Sequence, residues 1–508
     1  MLSLSGSRVN NSYPTRHPAA RASSANRLAT VTDEPVVLDL PLGTGETGTR
    51  IESDSMGPIE VPAEHYWGAQ TQRSLEHFAI GDDRMPRAVY RAFAYIKKGA
   101  AQVNAEAGRL PRWKADLIAR VADEILSNQM EGEFPLSVWQ TGSGTQSNMN
   151  VNEVIANRAN QLIGRPLGSN SPIHPNDDVN LAQSSNDTFP TAMHMAAIHE
   201  LQDGLLPSVR ELHFAVEARS KQWMDVVKIG RTHLMDAVPL TVGQEWSGYA
   251  AQLRMAIDRI ERSRPGLYRL AAGGTAVGTG LNAPPGFDLA IAARIADLTG
   301  EPYVTAPNKF AALAGMDAMV EAMSSLRGLA VVLLKFANDI RHLASGPRSG
   351  LAELILPANE PGSSIMPGKV NPTQCESMIM VCVQVIGEDT AVSIAGSRGD
   401  LELNVLRPVV AHNFTHSAKL LADSCANFRK YCIDGIELNL PRIHELVDRS
   451  LMLVTALTPE IGYENAAKIA KLANEQNLTL REAALATALI DPETFDRIVN
   501  PAAMTNHS

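Results

Sequence analysis

Residues 362–372 bring together two hydroxyls (Ser363, Ser364), an ammonium (Lys369) and an amide (Asn371) on a stretch broken by Gly362, Pro367, Gly368 and Pro372. Glycine and proline at that density exclude a continuous helix or a central strand, so the backbone N–H groups between them are free to face a ligand. A point charge, an oriented amide and free N–H donors together suit a carboxylate. Glu376 follows four residues after the last proline, where a helix can begin.

Three other clusters are rich in small hydroxyl and amide residues. The first surrounds Ser143, Gly144 and Thr145; the second runs from His174, Pro175, Asn176 and Asp177 to Ser184, Ser185 and Asn186; the third holds Thr232 and His233. Singly, each reads as a turn or a helix N-cap. The glycine-rich residues 273–280 have the look of a dinucleotide fingerprint, but no strand precedes them and no β-α alternation surrounds them, which leaves a packing or substrate-side loop.

In combination and in this order, the clusters resemble those of the class II fumarases, in the fumarase/aspartase superfamily, over about residues 50–505. The most specific part is Ser363-Ser364 followed at fixed offsets by Met366-Pro367, Lys369 and Asn371-Pro372. The resemblance implies an all-α, three-domain fold whose central five-helix bundle builds a twenty-helix core in a homotetramer, with each active site shared among three subunits. It also implies reversible hydration of fumarate to (S)-malate, a step of the tricarboxylic acid cycle.

Carried over residue by residue, the resemblance makes Ser143, Gly144 and Thr145 the first substrate loop and Ser184, Ser185 and Asn186 the second. Thr232 becomes a substrate contact, His233 the proton-transfer histidine, Ser363 the base that takes the carbon-bound proton, and Glu376 the partner of His233. Ser364, Lys369, Val370 and Asn371 complete the carboxylate-binding loop. His174, Pro175, Asn176 and Asp177 match a second dicarboxylate site, with a departure at Ser171, where members that bind anions there often carry a basic residue.

The residue types suit that chemistry. Taking a proton from the carbon beside a carboxylate builds a doubly charged aci-carboxylate, which Lys369, Asn371 and N–H donors can stabilise. A serine base needs its alkoxide stabilised by the same kind of donors. On the opposite face, a histidine held by a carboxylate can protonate the leaving hydroxide. Acid, base and anion stabilisation suffice, so neither a cofactor nor a metal is expected. The nearest rival, aspartate ammonia-lyase, usually has Gln at the position of His233 and Ala at that of Gly368; a non-catalytic relative would have lost Ser363 or Lys369.

These loops need rigid elements behind them. Apolar residues recur at helical spacing over 191–223, 243–264, 316–344, 374–395 and 403–431, five segments longer than an ordinary globular helix. Arranged by length and punctuation, the chain divides into an N-terminal extension (1–49), an N-terminal domain (50–183), a long-helix bundle (184–440) and a small C-terminal domain (441–508). Residues 316–344 are apolar around most of their circumference, as befits a helix buried in an oligomer.

The composition sets limits. A net charge of −10 argues against a nucleic-acid surface. Cys375, Cys382, Cys425 and Cys432 lack close pairing and read as reduced thiols rather than a zinc site or disulfide framework. Apolar runs such as 328–334 and 378–386 fall short of the roughly 20 residues that a membrane helix needs, so no span is expected. The first 32 residues carry four arginines, no acid and many Ser and Ala, compatible with a mitochondrial transit peptide. Pro14 and Pro18 tip the reading to a disordered extension of a cytoplasmic protein.

Overall fold

The computed structural model describes residues 34–506, so the reading of the first 32 lies outside the described residues. Docking begins at Leu38, whose N–H donates to Leu162 O at 2.7 Å. Buried Arg158 explains the strap: its guanidinium pairs with Glu124 and spends its remaining donors on the carbonyls of Leu40 and Pro41, at 2.9 and 3.0 Å, and on Gln161. The loose extension expected up to residue 49 is corrected from Leu38 onward.

A hairpin, β1 (Thr49–Asp54) and β2 (Gly57–Pro62), precedes an N-terminal layer of α1 (Ala69–His77), α2 (Arg87–Glu106), α3 (Arg112–Leu126) and α4 (Thr145–Gln161). Next come α5 (Ser185–His199), a π-helical turn (Glu200–Leu205) and α6 (Leu206–Gln222), then the hairpin β3 (Val227–Thr232) and β4 (Met235–Thr241). After α7 (Val242–Leu267), the two-residue strands β5 (Arg269–Leu270) and β6 (Val304–Thr305) flank α8 (Phe287–Thr299). The chain continues through α9 (Lys309–Ala314), α10 (Asp317–Leu343), β7 (Leu354–Ile355), α11 (Thr373–Gly396) and α12 (Arg407–Tyr431). Shorter helices from Leu440 onward finish it. The fold is all-α, the strands among the described residues forming two-stranded pairs.

Capping fixes where the long helices start. Ser184 with Asp187, and Thr241 with Gln244, form capping boxes at α5 and α7, so the first long helix begins ahead of the expected residue 191. It is interrupted at the π-turn around Gly204. α10 packs on α7 and α11, α11 on α12, and α6 on α7 and α12. On α10, Met319, Met323, Leu326, Leu329, Leu333, Phe336 and Ile340 are buried at three- to four-residue spacing. At 1.5 Å per residue this helix is roughly 40 Å long. One end of the bundle is locked by edge-on rings: Trp223 on Trp246 at 4.8 Å, Trp246 on Phe336 at 5.9 Å and Phe336 on Phe428 at 5.7 Å.

One hydrophobic core runs from Val61 to Ile443, without a break near residue 183. A second core, including Leu457, Ile469, Ala483 and Phe495, holds the C-terminal helices together and takes in Ile229 of β3. All four cysteines are buried and reduced on or beside the α11–α12 contact.

α11 departs from the sequence expectation on length. Its 24 residues, with a mean hydropathy of 1.5 over the most apolar window, are long and apolar enough to cross a bilayer. The helix nevertheless carries Glu376, Glu388 and Asp389, the last two buried. Glu388 accepts from Gln384, His416 and Ser417, tying α11 into the bundle. Away from α10 and α12, α11 exposes Met380, Val383 and Ile394.

Candidate active site

The first loop is shaped by two glycines. An added Cβ on Gly142 would stand 1.3 Å from Val405 O, and one on Gly144 would stand 2.1 Å from the Phe189 ring. Gly144 also sits at φ +75°, a left-handed conformation that turns the chain into α4. Gln140 Oε1 accepts from Ser147 N and Oγ, closing the turn. These constraints set Thr145 at the start of α4, with Ser143 Oγ 2.8 Å from Thr145 Oγ1.

The second loop meets the first within one chain. Ser184 caps α5, and Thr145 Oγ1 lies 2.8 Å from Ser185 Oγ. Asn186 donates through its Nδ2 to Ala276 O at 2.8 Å. Buried Asp187 accepts from Ser184 N at 2.9 Å, Gly273 N at 2.8 Å and Thr275 N at 2.9 Å. The glycine-rich loop therefore clamps the start of α5.

Beneath the two loops lies a polar network absent from the sequence reading. Lys97 of α2 is fully buried and donates from Nζ to Asn148 Oδ1 at 2.7 Å, Asn180 Oδ1 at 2.9 Å and Gln183 Oε1 at 3.0 Å. Burial pushes its pKa down to about 7, while the charge of Asp187 opposes that shift. Lys309 donates to Leu270 O and Ala272 O, and buried Arg407 to Leu313 O; burial lowers them to about 8 and about 10. Asp187 raises the pKa of all three cations, so a single carboxylate shares their field.

His233 and Leu234 form the two-residue turn between β3 and β4, where Thr232 pairs with Met235. Both turn residues have positive φ, 58° and 62°, which suits Asn-Gly in such a turn and strains a leucine. Thr232 and His233 are exposed. The base of the hairpin is fastened by Glu353, which is buried just before β7: Lys228 Nζ lies 2.9 Å and Arg231 Nη2 2.8 Å from its oxygens. Lys228 also pairs with Glu245 at the start of α7.

In the loop of residues 362–372, Ser363 Oγ accepts the N–H groups of Ile365 at 3.2 Å and Met366 at 3.0 Å. Gly362 N donates to Lys369 O at 3.0 Å, and Asn371 Nδ2 donates to Gly362 O. Ser364, Lys369 and Val370 are exposed, and Asn371 is half-buried. Glu376 is exposed in the first turn of α11. Among the described residues, no hydrogen bond or ion pair joins Glu376 to His233 in one chain.

The expected second site starts at His174, which caps the π-helical turn Pro175–Val179 by accepting the N–H groups of Asn176 and Asp177 at 3.2 Å. Its neighbour Asp178 pairs with Lys114 at 2.8 Å. A pocket of about 470 Å³ adjoins His174, Pro175 and Asn176. Glu52, Asp54 and Glu153 contribute carboxylates to its lining, which among the described residues includes no lysine or arginine. Glu153 is held there by Gly68 N, Gln70 N and Thr71, doing the work of an N-cap for α1.

Comparison with known proteins supplies the remaining findings. A lyase family profile matches residues 57–387, and a profile of the fumarase C C-terminus matches residues 453–506. The chain is 63% identical over 470 residues to a class II fumarate hydratase of Methanosarcina acetivorans, covering 92% of this chain and 97% of that one. It is 57% identical over 458 residues to the class II fumarate hydratase of Myxococcus xanthus, covering 90% and 98%. A crystal structure of recombinant class II fumarase from Schistosoma mansoni superposes with a TM-score of 0.89 at 46% identity, covering 91% of this chain and all of that one.

Proposed function

The chain belongs to the class II fumarate hydratase family, and from that premise we propose how its residues divide the chemistry and how its copies assemble. It is a hydro-lyase that interconverts fumarate and (S)-malate. Ammonia elimination gains no support from these relatives.

Ser363 removes the carbon-bound proton of malate. The observation that carries this reading is the pair of backbone N–H groups, from Ile365 and Met366, directed at Ser363 Oγ. An oxygen that already receives two donors is prepared to hold negative charge before substrate arrives. Lys369, with Ser364, Val370 and Asn371, holds the carboxylate that becomes the aci-carboxylate. The hydroxyl pair Thr145 and Ser185, with Ser143, Gly144, Ser184 and Asn186, binds the other end, and Thr232 adds a contact. His233 protonates the departing hydroxide.

His233 and Glu376 come from different subunits in this reading, consistent with their lack of contact within one chain. Four copies assemble so that each site draws on three of them. The apolar side chains Met380, Val383 and Ile394 on α11 suit burial against a second copy. The protein serves the tricarboxylic acid cycle in the cytoplasm, or in the mitochondrial matrix if residues 1–49 act as a transit peptide. The reaction proceeds without a metal ion, so a chelator leaves turnover unchanged.

The test follows fumarate by its ultraviolet absorbance after adding protein to L-malate, with L-aspartate in parallel. Signal from malate alone, reduced roughly a thousandfold in Ser363→Ala, is the expected result. Signal from aspartate, or an unaffected Ser363→Ala, overturns the assignment. Sizing of the active protein tests the assembly, which an active monomer refutes.

A further inference from the structure

Lys97 touches no element of the chemistry described above, yet it lies directly under both loops that bind the far end of the substrate. Its three acceptors occupy three informative places. Asn148 is on the first turn of α4, three residues after Thr145; Asn180 ends the π-helical turn that begins at Pro175; and Gln183 immediately precedes Ser184, the cap of α5. The network closes on itself. Asn148 Nδ2 donates to Asn180 Oδ1 at 3.1 Å, Thr188 Oγ1 to Asn148 Oδ1 at 3.2 Å, and Asn180 Nδ2 to Gln183 O at 3.2 Å.

An ammonium has three N–H donors and no acceptor. Three amide oxygens converging at 2.7 to 3.0 Å match that inventory without remainder. A neutral side chain of the same length would leave Gln183 Oε1 facing no donor and would strip Asn148 Oδ1 and Asn180 Oδ1 of their charged one, so these side chains would turn elsewhere and take their backbones with them. Because Asn148 and Gln183 are each within three residues of a substrate-binding hydroxyl, such a turn would part Thr145 from Ser185.

We propose that Lys97 is a positioning residue of this enzyme: its ammonium gathers Asn148, Asn180 and Gln183 so that the Ser143–Thr145 and Ser184–Asn186 loops present their hydroxyls to one dicarboxylate end. The inference rests on the assignment of those loops to substrate binding.

The test is steady-state kinetics of the full-length protein with both fumarate and malate. Lys97→Met is expected to raise KM about tenfold or more for both substrates, with a smaller loss in kcat, as displaced binding groups do. A structural role alone lowers the melting temperature and leaves KM at the wild-type value; that result overturns the proposal. Combining Lys97→Met with Ser185→Ala separates the two roles further. Positioning makes the combined loss smaller than the product of the two single effects, whereas multiplicative losses refute it.

If Lys97→Met does not fold, Gln183→Leu removes one acceptor and decides the matter: raised KM at a normal melting temperature supports the proposal, and unchanged KM sinks it. A wild-type protein inactive on malate would fail the functional assignment itself. An active wild type with an unaltered Lys97→Met KM fails only this inference.

Discussion

Thr145 Oγ1 and Ser185 Oγ lie 2.8 Å apart, although forty positions separate them in the chain. Each stands at the first residue of its helix, α4 or α5, so one short contact joins two helix N-termini. The positive ends of two helix dipoles then converge at the place proposed for one carboxylate of the substrate. Around them are Lys97, Lys309 and Arg407, which gives a protein of net charge −10 a local basic field.

Gly144→Ala tests the seating of the first loop. The new methyl would meet the Phe189 ring at 2.1 Å, and the left-handed φ costs an alanine about 1 kcal/mol before any clash. Both a lower melting temperature and a raised KM are expected. Wild-type values for the two would show that Phe189 moves aside freely.

Leu234→Gly tests the strain in the hairpin turn. Glycine accepts the left-handed φ of 62° without penalty, so stability should rise by about 0.5 to 1 kcal/mol. The same freedom loosens His233, and kcat should fall while KM changes less. A variant that gains stability without losing kcat would mean the turn does not orient the imidazole.

Glu353→Gln removes the carboxylate shared by Lys228 and Arg231. Lys228 retains Glu245, but Arg231 loses its acidic partner, and breaking a buried pair typically costs about 3 kcal/mol. Denaturant unfolding should show a large loss, accompanied by lower kcat because β3 carries Thr232 and precedes His233. An unchanged unfolding midpoint would contradict the fastening role.

His194 predicts an acid limb in stability. Burial pushes its pKa from 6.5 down to about 4, with its ring Nδ1 at 3.1 Å from Arg269 O. Between those values the unfolded chain takes up a proton that the fold refuses, so this contribution is complete above pH 6.5 and is lost as pH falls toward 4. The melting temperature should drop over that window and drop less in His194→Gln. Equal pH profiles for the two proteins would remove His194 as the cause.

The sequence makes the long helices legible because their apolar spacing exceeds anything a turn could mimic, and four of the five expected segments match helices to within a few residues. The loop of residues 362–372 is equally readable, since glycine and proline leave no alternative. Lys97 could have been found: Phe93, Lys97, Ala100 and Asn104 share one buried face of α2, so a charge occupies a core position in the periodicity. Glu353 offered no such signal, because its partners lie more than one hundred residues away on a hairpin whose pairing only the fold reveals. The strap of residues 38–43 was hidden for the same reason: it depends on the unmet donors of Arg158.

The cysteines on α11 and α12 repeat at matching intervals, 375 to 382 on one helix and 425 to 432 at the end of the other, so the antiparallel packing sets Cys375 against Cys432 and Cys382 near Cys425. Burial lifts the Cys382 thiol to about 12 and Cys425 higher still, which keeps them protonated and unreactive while the seam is shut. The enzyme thus contains its own stopwatch: with a thiol reagent concentrated enough that labelling outpaces reclosing, the rate at which these four groups become labelled is the rate at which the two helices part, readable without adding any reporter to the chain.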